Sequence, residues 1–440
     1  MTVDRIGDWN RTHHSTEIVP DLDGREVVVF GWVQDLRDLG KILFLTLRDR
    51  NGLVQVTVPK TKVSKEVLEK VSRIGKEFAI GVKGIVHAEK AAPKGVELIP
   101  AEIRILGEVA YPLPLDPTGR VPADLDVRLN ARILDLRRPE PSAIFKVRNE
   151  VLIATREFLR KKDFIEILTP RLIVSATEGG AALFPVEYFE RRAYLAQSPQ
   201  LYKEQLVTVF EKVYEIGPFF RAEEFDTVRH TNEFTSVDVE EAFATSEDVM
   251  RVLEELTLVI VNHVNSTCAE ELKRLNVSLP VPSLPLRRYT YDEVLRELNE
   301  RGENIAWGED IPTPAYRALE ERHRKEFYFI TDWPTKAKAF YIKPREDKPA
   351  VSYGFDFMYQ WVEIASGGSR IDLKEQLVGR LRENRLDPKV FEDHLKSFDY
   401  GMPPHAGWAF GLERLLMALL GVENIREVTL FPRDRYRLTP

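Results

Sequence analysis

The sequence predicts an α+β protein of more than one domain, with a five-stranded β-barrel followed by a larger domain of helices and strands. The chain has 440 residues, more than a single domain usually contains. Residues 1–106 show mainly β-type alternation, whereas residues 141–440 mix helical spacing with strand-like runs. The intervening residues 107–140 are rich in proline, which favours a stiff, irregular hinge.

The composition is that of a soluble globular protein, with 43% hydrophobic and 30% charged residues. The net charge of −7 gives no support to a nucleic-acid binder, although residues 1–110 are nearly balanced, with 17 basic and 16 acidic side chains. The single cysteine, Cys268, cannot form an internal disulfide. Because no apolar run approaches the roughly 20 residues of a membrane span and no signal-peptide core is present, we expect a cytoplasmic protein without a membrane partner.

The β-type pattern of the N-terminal domain predicts an OB-fold barrel. Three strand-like runs, EVVVFGWVQDL, KILFLTLRD and LVQVTV, precede a charged helical segment around residues 64–74, and two more runs follow it. Five strands with a helix between the third and the fourth is the order of an OB-fold. Such barrels often bind single-stranded nucleic acid by stacking bases on aromatic rings. Phe44, Arg37 and Gln55 are candidates for this contact, but the pattern also allows Phe44 to be a core residue.

A hairpin with a charged loop is predicted between residues 213 and 240. The apolar run at its start should be buried, so Arg221 at the end of that run needs an anion as partner. Glu223, Arg229 and His230 follow in the loop, before a second strand-like run. By itself the stretch fits equally well an exposed acidic hairpin in which Arg221 pairs with a glutamate.

Two further motifs decide between these interpretations. Residues 407–421, GWAFGLERLLMALLG, predict an amphipathic helix that follows a glycine-rich turn and carries Arg414. Residues 165–170, IEILTP, predict a short strand that ends in a proline. In this order, IEILTP, FRAEE around Arg221 and GLER around Arg414 resemble motifs 1, 2 and 3 of the class II aminoacyl-tRNA synthetases.

The resemblance implies a class II catalytic domain, an antiparallel sheet flanked by helices, over residues 141–440. A class-specific insertion around residues 245–350 would supply support strands, and no catalytic role is expected there. The helix from Ala143 and the first-motif strand would form the interface of a homodimer, and an isologous dimer is in any case the commonest closed assembly. Because no large domain separates motifs 2 and 3, the chain is most similar to the archaeal and eukaryotic branch of the aspartyl-tRNA synthetase family.

The resemblance further implies a site for ATP and Mg²⁺. Arg221 would bridge the amino-acid carboxylate and the α-phosphate, and Arg414 with His230 would hold the γ-phosphate. Carboxylates in otherwise apolar strands, such as Asp356 and Glu363, are rarely structural unless they are paired or hold a cation. The implied ATP-binding set, with Arg221 and Arg414 as its catalytic members, is Arg221, Glu223, Arg229, His230, Phe234, Glu363 and Arg414. The implied magnesium ligands are Asp356, Glu363 and Ser366.

An acidic amino acid is implied as the other substrate. In aspartyl-tRNA synthetases the lysine that matches Lys203 contacts the side-chain carboxylate, and Arg370 would point into the same pocket, where a second cation suits only an acidic group. Glu178 precedes paired glycines in a stretch that is either a plain turn or, by resemblance, the loop that closes over the amino acid. The implied aspartate-binding residues are Glu178, Ser198, Gln200, Lys203, Asp238, Ser366 and Arg370.

The barrel sequence GWVQDLRDLGKILFLTLRDRNGLVQV is similar to the anticodon-binding domain of class IIb synthetases. The resemblance implies that Phe44 stacks on the middle anticodon base and that Gln55 reads the edge of that base. Strictly aspartate-specific archaeal members tend to carry a tryptophan where this chain has Gln34 and a lysine where it has Pro93. Since neither residue supplies bulk or charge against the alternative base, we expect both tRNA-Asp and tRNA-Asn to be accepted. The implied anticodon contacts are Gln34, Arg37, Phe44, Gln55 and Pro93.

The predicted function is therefore the ATP-dependent attachment of L-aspartate to tRNA-Asp and tRNA-Asn through an aspartyl-adenylate. The alternatives are a strictly tRNA-Asp-specific enzyme, an asparaginyl-tRNA synthetase, a catalytically inactive RNA-binding paralogue and an ammonia-dependent asparagine synthetase. Lys203 and Arg370 argue against asparagine, because a neutral amide would leave their charge unpaired. The motif residues Arg221, Glu363 and Arg414 argue against an inactive protein, and the barrel argues against an asparagine synthetase.

Overall fold

The computed structural model describes residues 3–174, 183–224, 227–320 and 322–440. The chain divides into two compact units, Met1–Thr118 and Gly119–Pro440, and each contains a hydrophobic core of its own. In the described parts of both units, no helix is long and apolar enough to cross a membrane.

The N-terminal unit is a closed barrel of five strands, which confirms the predicted OB-fold. Its elements are β1 (Glu26–Asp38), β2 (Ile42–Arg48), β3 (Leu53–Pro59), α1 (Lys65–Arg73), β4 (Ala79–Ala88) and β5 (Val96–Gly107). The strands follow the order β1-β2-β3-β5-β4, and β3 and β5 are parallel while the other neighbours are antiparallel. Leu45, Val56 and Leu98 are fully buried inside the barrel, so alternate residues of these strands face outward.

The C-terminal unit is built on an eight-stranded sheet, a small three-stranded sheet and helices that pack against them. Its strands are β6 (Ile165–Glu166), β7 (Leu172–Ile173), β8 (Pro185–Tyr188), β9 (Arg191–Leu195), β10 (Lys212–Phe220), β11 (Glu233–Ala242), β12 (Arg287–Thr290), β13 (Phe327–Thr331), β14 (Gly354–Tyr359), β15 (Val362–Ser369) and β16 (His405–Gly411). Its helices are α2 (Leu125–Asn130), α3 (Arg132–Asp135), α4 (Pro139–Lys161), α5 (Gln200–Phe210), α6 (Ser246–Thr267), α7 (Ala269–Arg274), α8 (Tyr291–Glu300), α9 (Thr313–Tyr316), α10 (Lys374–Glu383), α11 (Glu392–Phe398) and α12 (Leu412–Leu420).

The large sheet has the strand order β12-β13-β14-β15-β16-β11-β10-β6. The strands from β13 to β10 are antiparallel, and the short edge strands β12 and β6 pair in parallel with their neighbours. This arrangement confirms the antiparallel sheet that the three motifs imply.

Helices α4 and α6 cover one face of the large sheet. Val147 and Val151 of α4 and Leu253 of α6 share a buried cluster with strand residues. Trp408 of β16 lies in the same cluster and donates its indole N–H to the Val249 carbonyl oxygen at 3.0 Å. Burying side chains of this size stabilises the fold by roughly 1.5–3 kcal/mol each. The opposite face of the sheet is left for polar side chains, because successive residues of a strand point to opposite faces.

The hinge and the insertion expected from the sequence both contain regular elements. Residues 107–140, expected to be an irregular hinge, contain the short helices α2 and α3, where buried Arg132 and Asp135 pair at 2.6 Å. Residues 245–350, expected to form an insertion with support strands, supply strands β12 and β13 of the large sheet itself. Helices α6 and α8 also lie in this segment.

Candidate active site

A cavity of about 350 Å³ lies on the face of the large sheet that the helices leave open. Residues from all parts of the predicted site line it: Ser198, Gln200, Arg221, Glu223, Arg229, His230, Phe234, Asp238, Asp356, Glu363, Ser366, Arg370 and Arg414. Lys203 is fully buried behind these residues, and Glu178 lies outside the described residues.

The floor of this cavity is a row of residues that crosses four strands. Asp356 of β14 is paired with Ser366 of β15, and Ser366 is paired with Ala409 of β16. Ala409 is in turn paired with Asp238 of β11. Directly opposed residues on neighbouring strands face the same side of a sheet. The row therefore presents two carboxylates to the cavity, separated by small side chains that leave room for a ligand.

A β-bulge brings a further carboxylate to this face. The pairing of β14 with β15 shifts between Phe357 and Met358, and Ile364 has no partner there. Glu363 therefore faces the same side as Ser366, although strict alternation would place residues three apart on opposite faces. The bulge explains why both Glu363 and Ser366 line the cavity.

The carboxylates at this end of the cavity repel one another. Burial raises the pKa of Glu363, and the nearby Asp356 carboxylate raises it further. Burial also raises the pKa of Asp310, and Asp356 again acts in the same direction. Lys338 partly compensates, since its Nζ lies 2.5 Å from Asp356 Oδ1.

These carboxylates fit a magnesium ion. The part of the chain that the structure describes contains no cluster of three or more His, Cys, Asp or Glu side chains arranged to hold a metal by themselves. Mg²⁺ does not need such a cage, because it is usually held by one or two carboxylates together with water and substrate phosphates. Asp356 and Glu363 supply two hard oxygen donors whose mutual repulsion a cation would relieve.

Two arginines flank the cavity without a carboxylate partner among the described residues. The guanidinium carbon of Arg221 lies 5.2 Å from the centroid of the Phe234 ring. The Nη2 atom of Arg414, on α12, lies 3.4 Å from His230 Nε2. Burial lowers the pKa of His230, and the charge of Arg414 lowers it further, so its imidazole is neutral at physiological pH. The geometry contradicts the alternative of a structural Arg221–glutamate pair within the described residues.

The amino-acid end of the cavity contains a buried group of two cations and two carboxylates. Lys203 Nζ lies 3.1 Å from Asp238 Oδ1 and 3.4 Å from Glu240 Oε2. Arg370 donates from Nε and Nη2 to the two oxygens of Glu240, at 2.9 and 3.1 Å. Burial alone would lower the pKa of Arg370, but the Glu240 carboxylate outweighs it and the pKa is raised. From the sequence, a neutral amide was expected to leave the charges of Lys203 and Arg370 unpaired. This expectation is wrong, because Asp238 and Glu240 already balance both charges.

The backbone next to this group is close-packed. A Cβ atom on Gly407 of β16 would lie 2.2 Å from Glu240 Oε2 and 2.2 Å from the Val239 carbonyl oxygen. Only glycine therefore allows β16 to approach β11 closely enough for Arg370 and Glu240 to meet.

A second buried cluster supports the pocket from behind. Glu204 of α5 accepts a hydrogen bond from Gln200 Nε2 at 2.6 Å. The Nε2 atoms of His394 and His405 lie 3.2 and 3.6 Å from Glu204 Oε2. Burial alone would lower the pKa of His405, but Glu204 and Glu240 outweigh it and the pKa is raised. The cluster fixes the position of Gln200, which lines the cavity.

Several residues that line the cavity or lie buried directly behind it were not predicted from the sequence. Asp310 and Lys338 line it although they come from the segment 245–350, for which no catalytic role is expected. Glu240 was missed although it lies two residues after Asp238 in the same strand, where alternation places both side chains on one face. A charged residue in a strand next to a predicted site residue is the signal that would have identified Glu240.

On the barrel, the structure decides between the two interpretations of Phe44. Its neighbours Leu43 and Leu45 are buried, whereas Phe44 is half-buried and faces outward. Phe44 is paired with Arg37 of β1, whose side chain is 72% exposed. Gln55 lies on the same face, and its Nε2 is 3.2 Å from Glu97 Oε2. An outward aromatic ring beside an exposed guanidinium is suited to stacking on a base.

The two positions expected to govern tRNA choice have irregular backbones. Gln34 has no partner where the pairing of β1 with β2 shifts between Val33 and Asp35, so it lies in a bulge. Pro93 begins a 3₁₀ turn, and the next residue, Lys94, has φ of 60° and donates from Nζ to the Leu53 carbonyl oxygen at 3.3 Å.

Comparison with protein families matches both units. Residues 124–435 match the family described as tRNA synthetases class II (D, K and N). Residues 27–106 match the family described as OB-fold nucleic acid binding domain. Together the matches cover the sheet with its cavity and the barrel.

Individual relatives are similar over almost the whole chain. An aspartate–tRNA(Asp/Asn) ligase of Methanopyrus kandleri is 54% identical, over 97% of this chain and 99% of its own length. An aspartate–tRNA(Asp) ligase of Pyrococcus abyssi is 50% identical, over 98% of this chain and 100% of its own length. The crystal structure of asparaginyl-tRNA synthetase from Pyrococcus horikoshii, complexed with asparaginyl-adenylate, superimposes with a TM-score of 0.93 at 35% identity, covering 98% of this chain and 100% of that chain.

Proposed function

The chain belongs to the class II tRNA synthetases, and from this premise we propose that it attaches L-aspartate to both tRNA-Asp and tRNA-Asn, using ATP. One observation carries the proposal: a single cavity joins two arginines without carboxylate partners at one end to the buried Lys203–Glu240–Arg370 group at the other. The first end suits phosphates, and at the second end the guanidinium donors of Arg370 that Glu240 does not occupy can receive a carboxylate. The similarity to ligases named for aspartate supports the same substrate.

Activation of the amino acid requires positioning and charge neutralisation but no protein nucleophile. An oxygen of the aspartate α-carboxylate attacks the α-phosphorus of ATP, the bond to the β-phosphate oxygen breaks, and pyrophosphate leaves with the electron pair. In this proposal Arg221 bridges the carboxylate and the α-phosphate, and adenine stacks on the Phe234 ring beside it. Arg414 and neutral His230 hold the γ-phosphate end.

Magnesium, when bound at Asp356 and Glu363, supplies positive charge to the phosphates. Ser366, opposite Asp356 in the row across the strands, is a third oxygen on the same face. Lys338 contacts Asp356 and holds a positive charge at this carboxylate. In the second step the terminal ribose hydroxyl of the tRNA attacks the acyl carbon, and AMP is released.

Aspartate is recognised at the buried charged group. Glu240 occupies only the Nε and one Nη2 donor of Arg370, so the remaining guanidinium donors can face the β-carboxylate in the cavity. Lys203 acts from behind, because its ammonium group contacts Asp238 and Glu240. The Ser236 hydroxyl donates to Asp238 Oδ2 at 2.6 Å and holds that carboxylate towards the substrate ammonium group.

The protein is proposed to act as a cytoplasmic homodimer that binds the anticodon on its barrel. Leu168 and Val174, next to the first-motif strand, are 82% and 80% exposed. Apolar side chains exposed to this extent are suited to the isologous interface that the first motif implies. Buried Cys268 is compatible with a reducing compartment.

A charging assay with purified tRNA-Asp and tRNA-Asn transcripts tests the proposal. Labelled aspartate is expected on both transcripts, with kcat/KM values that differ by less than about 100-fold, or roughly 2.7 kcal/mol. Labelled asparagine, tested in parallel, is the control for the asparaginyl-tRNA synthetase alternative. Charging of asparagine in preference to aspartate would overturn the assignment of the amino acid, and a larger preference for tRNA-Asp would overturn that of the tRNA.

A further inference from the structure

A second cavity of about 380 Å³ adjoins the phosphate end of the first cavity. Arg229 and Arg414 line both cavities, and Arg317, immediately after α9, lines only the second. The guanidinium carbons of Arg229 and Arg317 lie 3.6 and 4.7 Å from the centroid of the Trp361 ring. Such cation–π contacts hold the two side chains in place without neutralising their charge.

Among the described residues, no ion pair within 4 Å joins Arg229, Arg317 or Arg414 to the carboxylates that also line this cavity, which are Asp310, Glu320, Glu363 and Glu423. Arg229 and Arg317 instead contact the Trp361 ring, and Arg414 contacts neutral His230. Burial lowers the pKa of Arg229 to about 10, and repulsion by Arg317 and Arg414 adds to this effect. An anion bound between the guanidinium groups would relieve the repulsion and supply hydrogen-bond acceptors to all of them.

We propose that Arg229, Arg317 and Trp361 form a subsite for inorganic pyrophosphate, which rests there after its release from the α-phosphate of ATP. The inference rests on the proposed function, because only that reaction produces this anion at the neighbouring site. Arg229 and Arg414 belong to both cavities, so they keep contact with the anion as it moves outward from the first cavity. Arg317 is the residue that distinguishes the subsite from the ATP site.

A phosphate of the tRNA acceptor end is the other anion that three arginines could hold. The pyrophosphate is favoured because the second cavity shares Asp310 and Glu363 as well as His230 with the first. The second cavity is thus an extension of the nucleotide site. Carboxylates on this shared wall would repel a bare tRNA phosphate but suit an anion that leaves together with magnesium.

The substitution Arg317→Gln tests the subsite in aspartate-dependent ATP–pyrophosphate exchange without tRNA. Loss of one charge-assisted contact is expected to raise the KM for pyrophosphate about tenfold, while the KM values for ATP and aspartate stay within about twofold. Arg322→Gln is the matched control. It removes a nearby arginine that contacts the Tyr289 ring and Glu297 outside the cavity, and all constants should be unchanged.

A binding measurement separates the subsite from the proposed activity. Titration of the full-length protein with inorganic pyrophosphate and Mg²⁺ should give an affinity that falls about tenfold in Arg317→Gln and also falls in Trp361→Leu, with Trp361→Phe retaining most of it. Equal increases in the KM for ATP and for pyrophosphate would assign Arg317 to the ATP site and overturn the inference. An increase confined to the KM for tRNA would overturn it in favour of the acceptor end. Pyrophosphate binding without any aspartate-dependent exchange would refute the proposed function but leave the subsite intact.

Discussion

The substitution Arg370→Leu separates substrate recognition from structural pairing at the charged end of the cavity. In the native structure Arg370 donates two hydrogen bonds to Glu240, and both side chains are buried. Without Arg370, Lys203 at 3.4 Å is the ion-pair partner that Glu240 keeps among the described residues. Removing one member of a buried pair typically costs about 3–5 kcal/mol, so the urea midpoint of the catalytic unit should fall clearly.

The same substitution should also impair use of aspartate. One charge-assisted hydrogen bond to the β-carboxylate is worth roughly 1.5–3 kcal/mol, which corresponds to about a 10- to 150-fold loss of kcat/KM for aspartate. The KM for ATP should remain within about threefold of the native value, because Arg370 acts on the amino acid and not on the phosphates. ATP–pyrophosphate exchange at varied aspartate and varied ATP measures both constants.

The double variant Arg370→Met/Glu240→Gln is the decisive control. It removes both charges, so no unpaired carboxylate is left, and replacement of whole buried pairs is often close to neutral for stability. The urea midpoint is expected to recover most of the loss, whereas kcat/KM for aspartate is not. Recovery of both quantities would refute our reasoning, since Arg370 would then serve only to neutralise Glu240.

Three further predictions concern the other parts of the site. Arg221→Ala and Arg414→Ala should each reduce aspartate-dependent exchange by at least about 100-fold, the scale of a lost charge contact to the transition state, and near-native exchange in either variant would place the active site elsewhere. Gln34→Trp combined with Pro93→Lys should shift charging towards tRNA-Asp without changing tRNA-independent exchange, and an unchanged ratio of tRNA-Asp to tRNA-Asn charging would remove these positions from tRNA choice. The pKa of His405 is raised in the folded state. The stabilising contribution of this side chain is therefore fully present below its pKa in the unfolded chain, about 6.5, and is lost as pH rises through its pKa in the folded protein. The urea midpoint of His405→Asn should therefore fall short of the native midpoint at acid pH and approach it at alkaline pH, and a constant difference across this range would exclude the titration as the cause.

The parts of the site that lie inside the sequence motifs were predictable because their chemistry is local. Arg221 follows a buried strand and Arg414 lies in the first turn of a helix, so each position is determined by a few neighbouring residues. The outward orientation of Phe44 follows from alternation once the burial of Leu43 and Leu45 is known. The five strands of the barrel, and the helix between the third and the fourth, were likewise recoverable from runs of alternating residues and the charged helical segment between them.

The residues that were missed depend on contacts between distant segments. Glu240 and Arg370 are 130 positions apart in the chain and meet only because β11, β16 and β15 are neighbours in the sheet. Asp310 and Lys338 reach the cavity from a segment without motif signals. A sequence provides formal charges but not their pairing. The charges of Lys203 and Arg370 were therefore expected to need an acidic ligand, although Glu240 already pairs with both.

The direct junction between β16 and α12 limits how the substrate of this enzyme can be changed. Gly407 packs against Glu240 of the buried charged group, and Arg414 lines the phosphate end of the cavity. No loop separates strand from helix to absorb a displacement. A substitution in β16 that enlarges the pocket for a bulkier amino acid would move Arg414 as well, so selectivity and ATP use would decline together. Redesign towards new amino acids should therefore start from Gln200 on α5, which lines the cavity and lies outside the β16–α12 junction.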